Sequence, residues 1–287
     1  MLKRILFIPL FWFSLNACAQ NTNEELFIQL AKDLNGLQDI SERTIALAQR
    51  FLGTPYVAST LEGNAQEQLV VNLSEVDCTT FVEQVLAIAF SHNYQDFKEK
   101  LQQIRYRQGE ITDYTSRLHY FSDWIYENKQ AGRIRDIDTS FQQCYFKEIN
   151  FMSSHASSYP ALTNNTALIS KMKKIETEIS ARPQYFIPKS EIEAHEYAFK
   201  NGDIVAITTN IAGLDVVHTG FIIFKNERAH LLHASSEKKM VVISEEPLAD
   251  YLARFKSRTG IILVRKSAEC GVRSAECGVA AQLTTNN

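Results

Sequence analysis

The sequence predicts an α+β fold, with a helical half first and an antiparallel sheet after it. Two observations carry this. From residue 24 to about residue 130, apolar residues recur mostly at helical spacing. From Gly202 the period shortens to two, in short β-branched runs with no helix pattern between them, and such neighbouring strands pair antiparallel. With 287 residues the chain is long enough for one large domain or two lobes around ample core.

The first residues read as a processing signal. Lys3 and Arg4 precede an apolar stretch from Ile5 to Leu15, too short to span a bilayer, and Leu15-Asn16-Ala17-Cys18-Ala19-Gln20 follows. Leu-x-Ala-Cys resembles a lipobox, which would leave Cys18 as a lipidated N-terminus. Ala17-Cys18-Ala19 also fits the small-x-small rule, which would release a soluble protein starting at Gln20. Residues 1–19 are accordingly assigned to an export or lipoprotein signal. Both readings expect a periplasmic protein, held at the outer membrane if it is lipidated.

Glu24 to Leu34 and Ser41 to Phe51 are predicted as amphipathic helices, with Ser41 capping the second and Gly53 ending it. Thr54-Pro55-Tyr56 opens a loop. Asp77 is a good N-cap for a third helix, whose Phe81, Val82, Val85, Leu86, Ile88 and Ala89 turn inward. A helical middle from Tyr94 to about Gln130 contains Trp124. Residues from about Ile137 to Pro188 are mixed, with a Lys-rich helix near Ser170 to Ile179 and a break at Arg182-Pro183. Strands are predicted over Asp203–Thr208, Val216–Phe224, Ala229–Ala234, Met240–Ser244 and Gly260–Arg265. A seven-residue repeat ending at Gly271-Val272 and again at Gly278-Val279 leads into a Thr/Asn tail. That composition offers no core, so residues 267–287 are expected to be a disordered appendage to a domain of residues 20–266.

Formal net charge is −3 and no long basic run occurs, which argues against nucleic acid as a partner. Besides Cys18 the chain has Cys78, Cys144, Cys270 and Cys277, too few for a disulfide scaffold. Cys78 falls in the first turn of its helix, where free N–H groups and the helix dipole favour an anion. A thiol there can be lowered from about 8.5 into a range of roughly 3.5–7.5, which makes a nucleophile at neutral pH. The competing reading is a buried structural cysteine.

A thiolate nucleophile needs an imidazole to share its proton and a third polar group to hold that imidazole. His218 and His233 lie mid-strand on either side of the polar turn Lys225-Asn226-Glu227-Arg228. A two-residue loop at Lys225-Asn226 would set them directly opposite, and a four-residue loop would set them diagonally. Either register puts both on one sheet face. One ring can then orient the other. His230 and His233 point to opposite faces and cannot chelate one ion, and no HExxH or CxxC occurs, so no metal or other cofactor is expected. His92, His119, His155 and His195 default to surface or satisfied positions.

Leu52-Gly53-Thr54-Pro55-Tyr56-Val57, Asp77-Cys78-Thr79-Thr80-Phe81-Val82-Glu83, His218-Thr219-Gly220-Phe221 and His233-Ala234-Ser235, in that order, resemble the NlpC/P60 papain-like superfamily. Within it the chain resembles the DUF1460 family of N-acetylmuramoyl-L-alanine amidase-like proteins, over about residues 40 to 265. Tyr106-Arg107-Gln108-Gly109, Ser116-Arg117-Leu118-His119-Tyr120 and Gly213-Leu214-Asp215-Val216-Val217-His218 support the likeness. It implies a helical lobe bearing the cysteine, packed on an antiparallel sheet bearing both histidines. It also implies a bacterial cell-wall substrate, peptidoglycan fragments (muropeptides); the chain itself is expected to be a monomer that meets a membrane only through a lipid anchor, if Cys18 is lipidated. By the same likeness Cys78 is the nucleophile, His218 the general base and acid, and His233 the orienting member. Tyr56 lies near the thiol, and the helix start around Asp77 and Thr79 stabilises the oxyanion. The bond cut is the amide between N-acetylmuramate and L-Ala, or, as in much of the superfamily, the γ-D-Glu–diaminopimelate bond. A wall-binding lipoprotein with a dead site is the non-enzymatic alternative. Muropeptides carry carboxylates, so Arg117, Arg182 and Lys189 are candidates to line the pocket. Asp215 is expected either to meet an ammonium or to support the loop before His218.

Overall fold

The structure is a computed structural model, and it describes residues 22–37, 39–137 and 140–267. The signal segment with Cys18 and the repeat from residue 268 onward lie outside the described residues. Helices α1 (22–31), α2 (Ile40–Arg50), α3 (Cys78–Ala89), α4 (Tyr94–Arg105) and α5 (Phe121–Gln130) come first. Strands β1 (Ile134–Asp136) and β2 (Gln143–Tyr145), helices α6 (Phe151–Ser154) and α7 (Thr166–Ser180), and strand β3 (Gln184–Pro188) follow. The chain closes with β4 (Ile204–Thr209), β5 (Val216–Lys225), β6 (Arg228–Ser235), β7 (Met240–Ile243), helix α8 (Leu248–Ala253) and β8 (Arg258–Lys266). The strands make one antiparallel sheet in the order β2-β3-β8-β4-β5-β6-β7, and β1 pairs with the end of β8.

Helix α3 is the axis of the molecule. The Asp77 carboxylate accepts the Thr79 and Thr80 N–H groups at 3.0 and 2.8 Å, and the Thr80 hydroxyl accepts the Asp77 N–H at 2.8 Å. This reciprocal cap stabilises the helix start by about 1 kcal/mol. Thr80 to Ala89 are all buried, so α3 is enclosed on every side. Its one buried acid, Glu83, meets Arg105 of α4 at 2.7 Å, and Arg105 also donates to the Val70 carbonyl at 2.6 Å. That pair locks α3, α4 and the segment leading to Cys78 together.

Both sheet faces are covered, which is why β4 is buried at every position. On one face Phe221, Leu232 and Ala234 pack against Leu47, Phe51 and Val85, with Phe81 edge-on to Phe221 at 5.5 Å. On the other, Ile222, Leu231 and Leu263 pack against Leu248 and Leu252 of α8. A third cluster of Tyr114, Tyr120, Ile149, Met152 and Leu162 leans on Met172 and Ile179 of α7 and builds a wall beside the end of the sheet.

Three features differ from the sequence expectation. The second helix is capped by Asp39, whose carboxylate accepts the Ser41 N–H, so Ser41 lies inside it. The helical middle is divided at residues 106–120 by two 3₁₀ turns, where Gln108 and Gly109 both take positive φ. Strands β1, β2 and β3, drawn from the mixed region, extend the sheet, because pairing with β8 and with one another imposes extended structure on segments without alternation. Among the described residues no helix is long and apolar enough to cross a membrane.

Candidate active site

The β5–β6 hairpin closes through Asn226-Glu227, both at positive φ, with Lys225 opposite Arg228 and Phe221 opposite Leu232. Carried along, this register sets Gly220 against His233 and leaves His218 diagonal to it. The diagonal register holds, zipped one pair further than a four-residue loop allows. The glycine is required by this close approach: a Cβ at Gly220 would lie 2.6 Å from the Leu232 carbonyl oxygen and 3.0 Å from His233 Cβ. The result is a hydrogen bond of 2.6 Å between His218 Nε2 and His233 Nδ1, with the two rings perpendicular.

Cys78 and His218 line one cavity of about 330 Å³, at whose wall Cys78 is half-buried. The Thr219 N–H, the Thr79 hydroxyl and the Cys78 N–H all bear on the Cys78 sulfur and favour its anion. They are outweighed. Burial first, and the neighbouring Asp77 carboxylate second, push the thiol up to about 12. The helix-tip argument for a depressed thiol therefore fails here, because burial of the sulfur outweighs it and the cap that fixes the helix start adds a nearby anion. Burial, then His233, then Arg258 hold His218 well below the usual imidazole range, and burial and Arg258 bring His233 down to about 4. Burial thus favours the neutral thiol at Cys78 and the neutral ring at His218, the two side chains lining one cavity.

The remaining expected residues divide. The Tyr56 hydroxyl lies near Cys78 and Asp77, with burial and both neighbours raising it. Its segment is stitched to β7, Gly53 N–H to the Val241 carbonyl and Tyr56 N–H to the Lys239 carbonyl, each at 2.9 Å. Thr79 lines the cavity, but its N–H is taken by Asp77, so the backbone donor left at the helix start is that of Cys78. Asp215 also lines the cavity, fully buried. Its carboxylate accepts the Ser122 N–H at 2.7 Å, which ties the start of α5 to the loop before β5 and fits the supporting role.

The three cations do not line this cavity. Arg117 is spent on Glu62 and Glu67, both at 2.8 Å. Arg182 pairs with Asp123 at 2.7 Å and stacks on Tyr126, and Lys189 faces the Phe255 carbonyl. On the wall of this cavity the charged residues are Glu62 and Asp215, with no Lys or Arg, whereas Arg117 lines the groove that adjoins it. His119 takes the satisfied one of its two expected settings. It lines the cavity, its ring tilted against that of Tyr114 at 4.4 Å between centroids, with Nε2 donating to the Tyr114 carbonyl at 2.7 Å, and burial brings it down to about 3. The opposite wall, Met152 and Ser158 to Pro160, comes from a region without sequence signals. Through Glu62, Tyr114 and Pro160 the cavity continues into a polar groove of about 960 Å³. Among the described residues no three His, Cys, Asp or Glu side chains converge as metal ligands.

A family model described as AmiA-like, N-acetylmuramoyl-L-alanine amidase-like, matches residues 46–261. The crystal structure of an N-acetylmuramoyl-L-alanine amidase from Bacteroides uniformis is 40% identical, covering 79% of this chain and 99% of that one at a TM-score of 0.77. A Bacteroides fragilis protein provisionally described as a xylanase is 42% identical over 76% of this chain and 98% of its own, at a TM-score of 0.73. A Legionella pneumophila protein of the DUF1460 family model, 22% identical, shares the fold at a TM-score of 0.67 over 88% of this chain and 96% of its own. No curated protein matches the chain.

Proposed function

This chain belongs to the AmiA-like family of N-acetylmuramoyl-L-alanine amidase-like proteins, and we propose that it cuts the amide between N-acetylmuramate and L-Ala in peptidoglycan fragments by a Cys78–His218–His233 thiol mechanism. The observation that carries the choice of bond is the absence of Lys and Arg from the cavity wall. The γ-D-Glu–diaminopimelate bond has a free carboxylate beside it, and burying that anion beside Asp215, on a wall where Glu62 is already paired to Arg117, would be costly. The lactyl–Ala amide has no charge next to it. Glycoside hydrolysis is disfavoured, because it needs two free carboxylates across a sugar. Here Glu62 is committed to Arg117, and Asp215 to backbone N–H groups.

Each residue then has a task. His218 offers Nε2 to His233, which leaves Nδ1 for the Cys78 proton. Because the thiol is neutral at rest, sulfur attacks the carbonyl as its proton passes to His218. The Cys78 N–H and the Thr79 hydroxyl meet the oxyanion. The carbon–nitrogen bond breaks as His218 returns the proton to the amine of L-Ala. A base kept so weak is, once protonated, a strong acid toward that amine. Water activated by His218 then hydrolyses the thioester and restores the thiol. The adjoining groove gives room for the rest of a muropeptide. We read this as a papain-like NlpC/P60 site in an exported monomer, anchored through Cys18 if the lipobox is used.

The test is a digest of purified disaccharide-tetrapeptide read by mass. Peptides beginning with L-Ala are expected, and a fragment beginning at diaminopimelate would assign the endopeptidase activity instead.

A further inference from the structure

A separate cavity of about 310 Å³ reaches His233, and it shares no lining residue with the catalytic one. Tyr251 of α8 stands on that side, its ring edge-on to His233 at 5.4 Å between centroids. The guanidinium of Arg258, at the start of β8, lies 4.6 Å from the Tyr251 ring and 3.3 Å from that of Phe255. Its Nη1 is buried without a hydrogen-bond partner. The other charges near the histidine pair are compensated or fixed. Arg254 binds Glu246 and Glu237, and Lys238 binds Glu245. On the catalytic side stand Cys78 and the tethered Asp215. Among the described residues Arg258 is the one cation of this group with no carboxylate in ion-pair range. Stacking on two rings does not neutralise it.

We propose that Arg258 is a positioning residue: a cation clamped on Tyr251 and Phe255 behind the His218–His233 pair that, added to burial, disfavours an imidazolium there and so shifts the acid edge of activity. A neutral third residue leaves an imidazolium at His218 without the counter-ion a carboxylate would give, and a cation behind it makes that imidazolium a stronger acid toward the leaving amine. The same guanidinium bears on both rings, after burial, while Glu246 opposes it at His233. The effect on catalysis rests on the amidase reading, but the charge effect can be read without substrate.

The experiment is a histidine-labelled NMR titration of His233 in the full protein and in Arg258→Met, Arg258→Lys and Glu246→Gln, paired with kcat/KM against pH for muropeptide. Arg258→Met should raise the pH of His233 protonation, and the acid edge with it, by roughly half a unit to one unit. Arg258→Lys keeps the charge and should restore the wild-type titration. Glu246→Gln removes the opposing charge and should move the titration down. An unmoved titration in Arg258→Met, with only the melting temperature lowered, makes Arg258 a structural clamp and overturns the proposal. If that variant does not fold, Arg258→Gln, which keeps a planar neutral group over the two rings, decides in its place, and an unmoved titration there overturns the proposal equally. Wild-type protein that leaves muropeptides intact would sink the amidase reading, while the titration would still decide Arg258.

Discussion

Replacing Gly220 with Ala tests whether the spacing of the two histidines is what the hairpin exists to set. The added methyl would sit 2.6 Å from the Leu232 carbonyl oxygen, whereas ordinary contact begins at 3.4 Å, so the strands must part by about 0.8 Å. The neighbour on the same side is His233 Cβ at 3.0 Å, so the opening falls on the histidine pair itself. A bond of 2.6 Å stretched by that amount passes the useful limit of about 3.2 Å, and His218 loses its orienting partner. Overpacking of this kind costs roughly 1–3 kcal/mol of stability. A misplacement near 1 Å at a catalytic group costs about 10²-fold in rate. Urea unfolding and kcat/KM on the same preparation separate the two. A variant that loses stability as expected but turns over muropeptide at the wild-type rate would show that the His218–His233 contact is not needed at this distance.

Arg105→Met strands Glu83 as a lone buried acid and should cost about 3–5 kcal/mol in urea unfolding, with much of it recovered by adding Glu83→Leu. A single-variant loss below about 1 kcal/mol would mean the pair is not buried in solution. In the free enzyme at pH 8, iodoacetamide should label exposed Cys144 faster than Cys78, whose thiol burial pushes up to about 12; faster labelling of Cys78 would place a thiolate there at rest. Lys266 is buried with no partner for its Nζ, and burial depresses it from 10.5 to about 7. The unfolded chain therefore binds more protons than the native one between those values, and stability should rise with pH from 7 to 10.5, by something on the order of 3–5 kcal/mol, all of the penalty being present below 7. Lys266→Met should remove that slope in thermal melts, and a slope left unchanged would show the amine to be solvated.

The placement of the proposed trio could be read from sequence because each member sits in a local frame with strong rules: a capped helix start for Cys78, and a tight hairpin for His218 and His233. The charge state of that trio could not. It depends on how deeply the fold buries the sulfur and on a guanidinium that the chain brings back 25 residues after His233. The cavity wall was equally hidden. Tyr114, His119, Met152 and Tyr159 meet there only because α7 gathers their segments into a cluster, and packing of that kind leaves no periodicity in the chain. The partners of the two expected arginines were hidden for the opposite reason. An arginine in sequence shows its charge but not the carboxylate waiting for it, and Glu62, Glu67 and Asp123 had already claimed theirs.

A sulfur–carbonyl bond is the one intermediate that this chemistry must pass through, and it can be weighed. Enzyme mixed with muropeptide, quenched in acid within milliseconds and measured as intact protein should carry the muramoyl sugar, without L-Ala, as a thioester on Cys78, and Cys78→Ala should carry nothing. An adduct that retains L-Ala and D-Glu would move the cut to the peptide, and hydrolysis by Cys78→Ala at the wild-type rate would contradict the thiol mechanism outright.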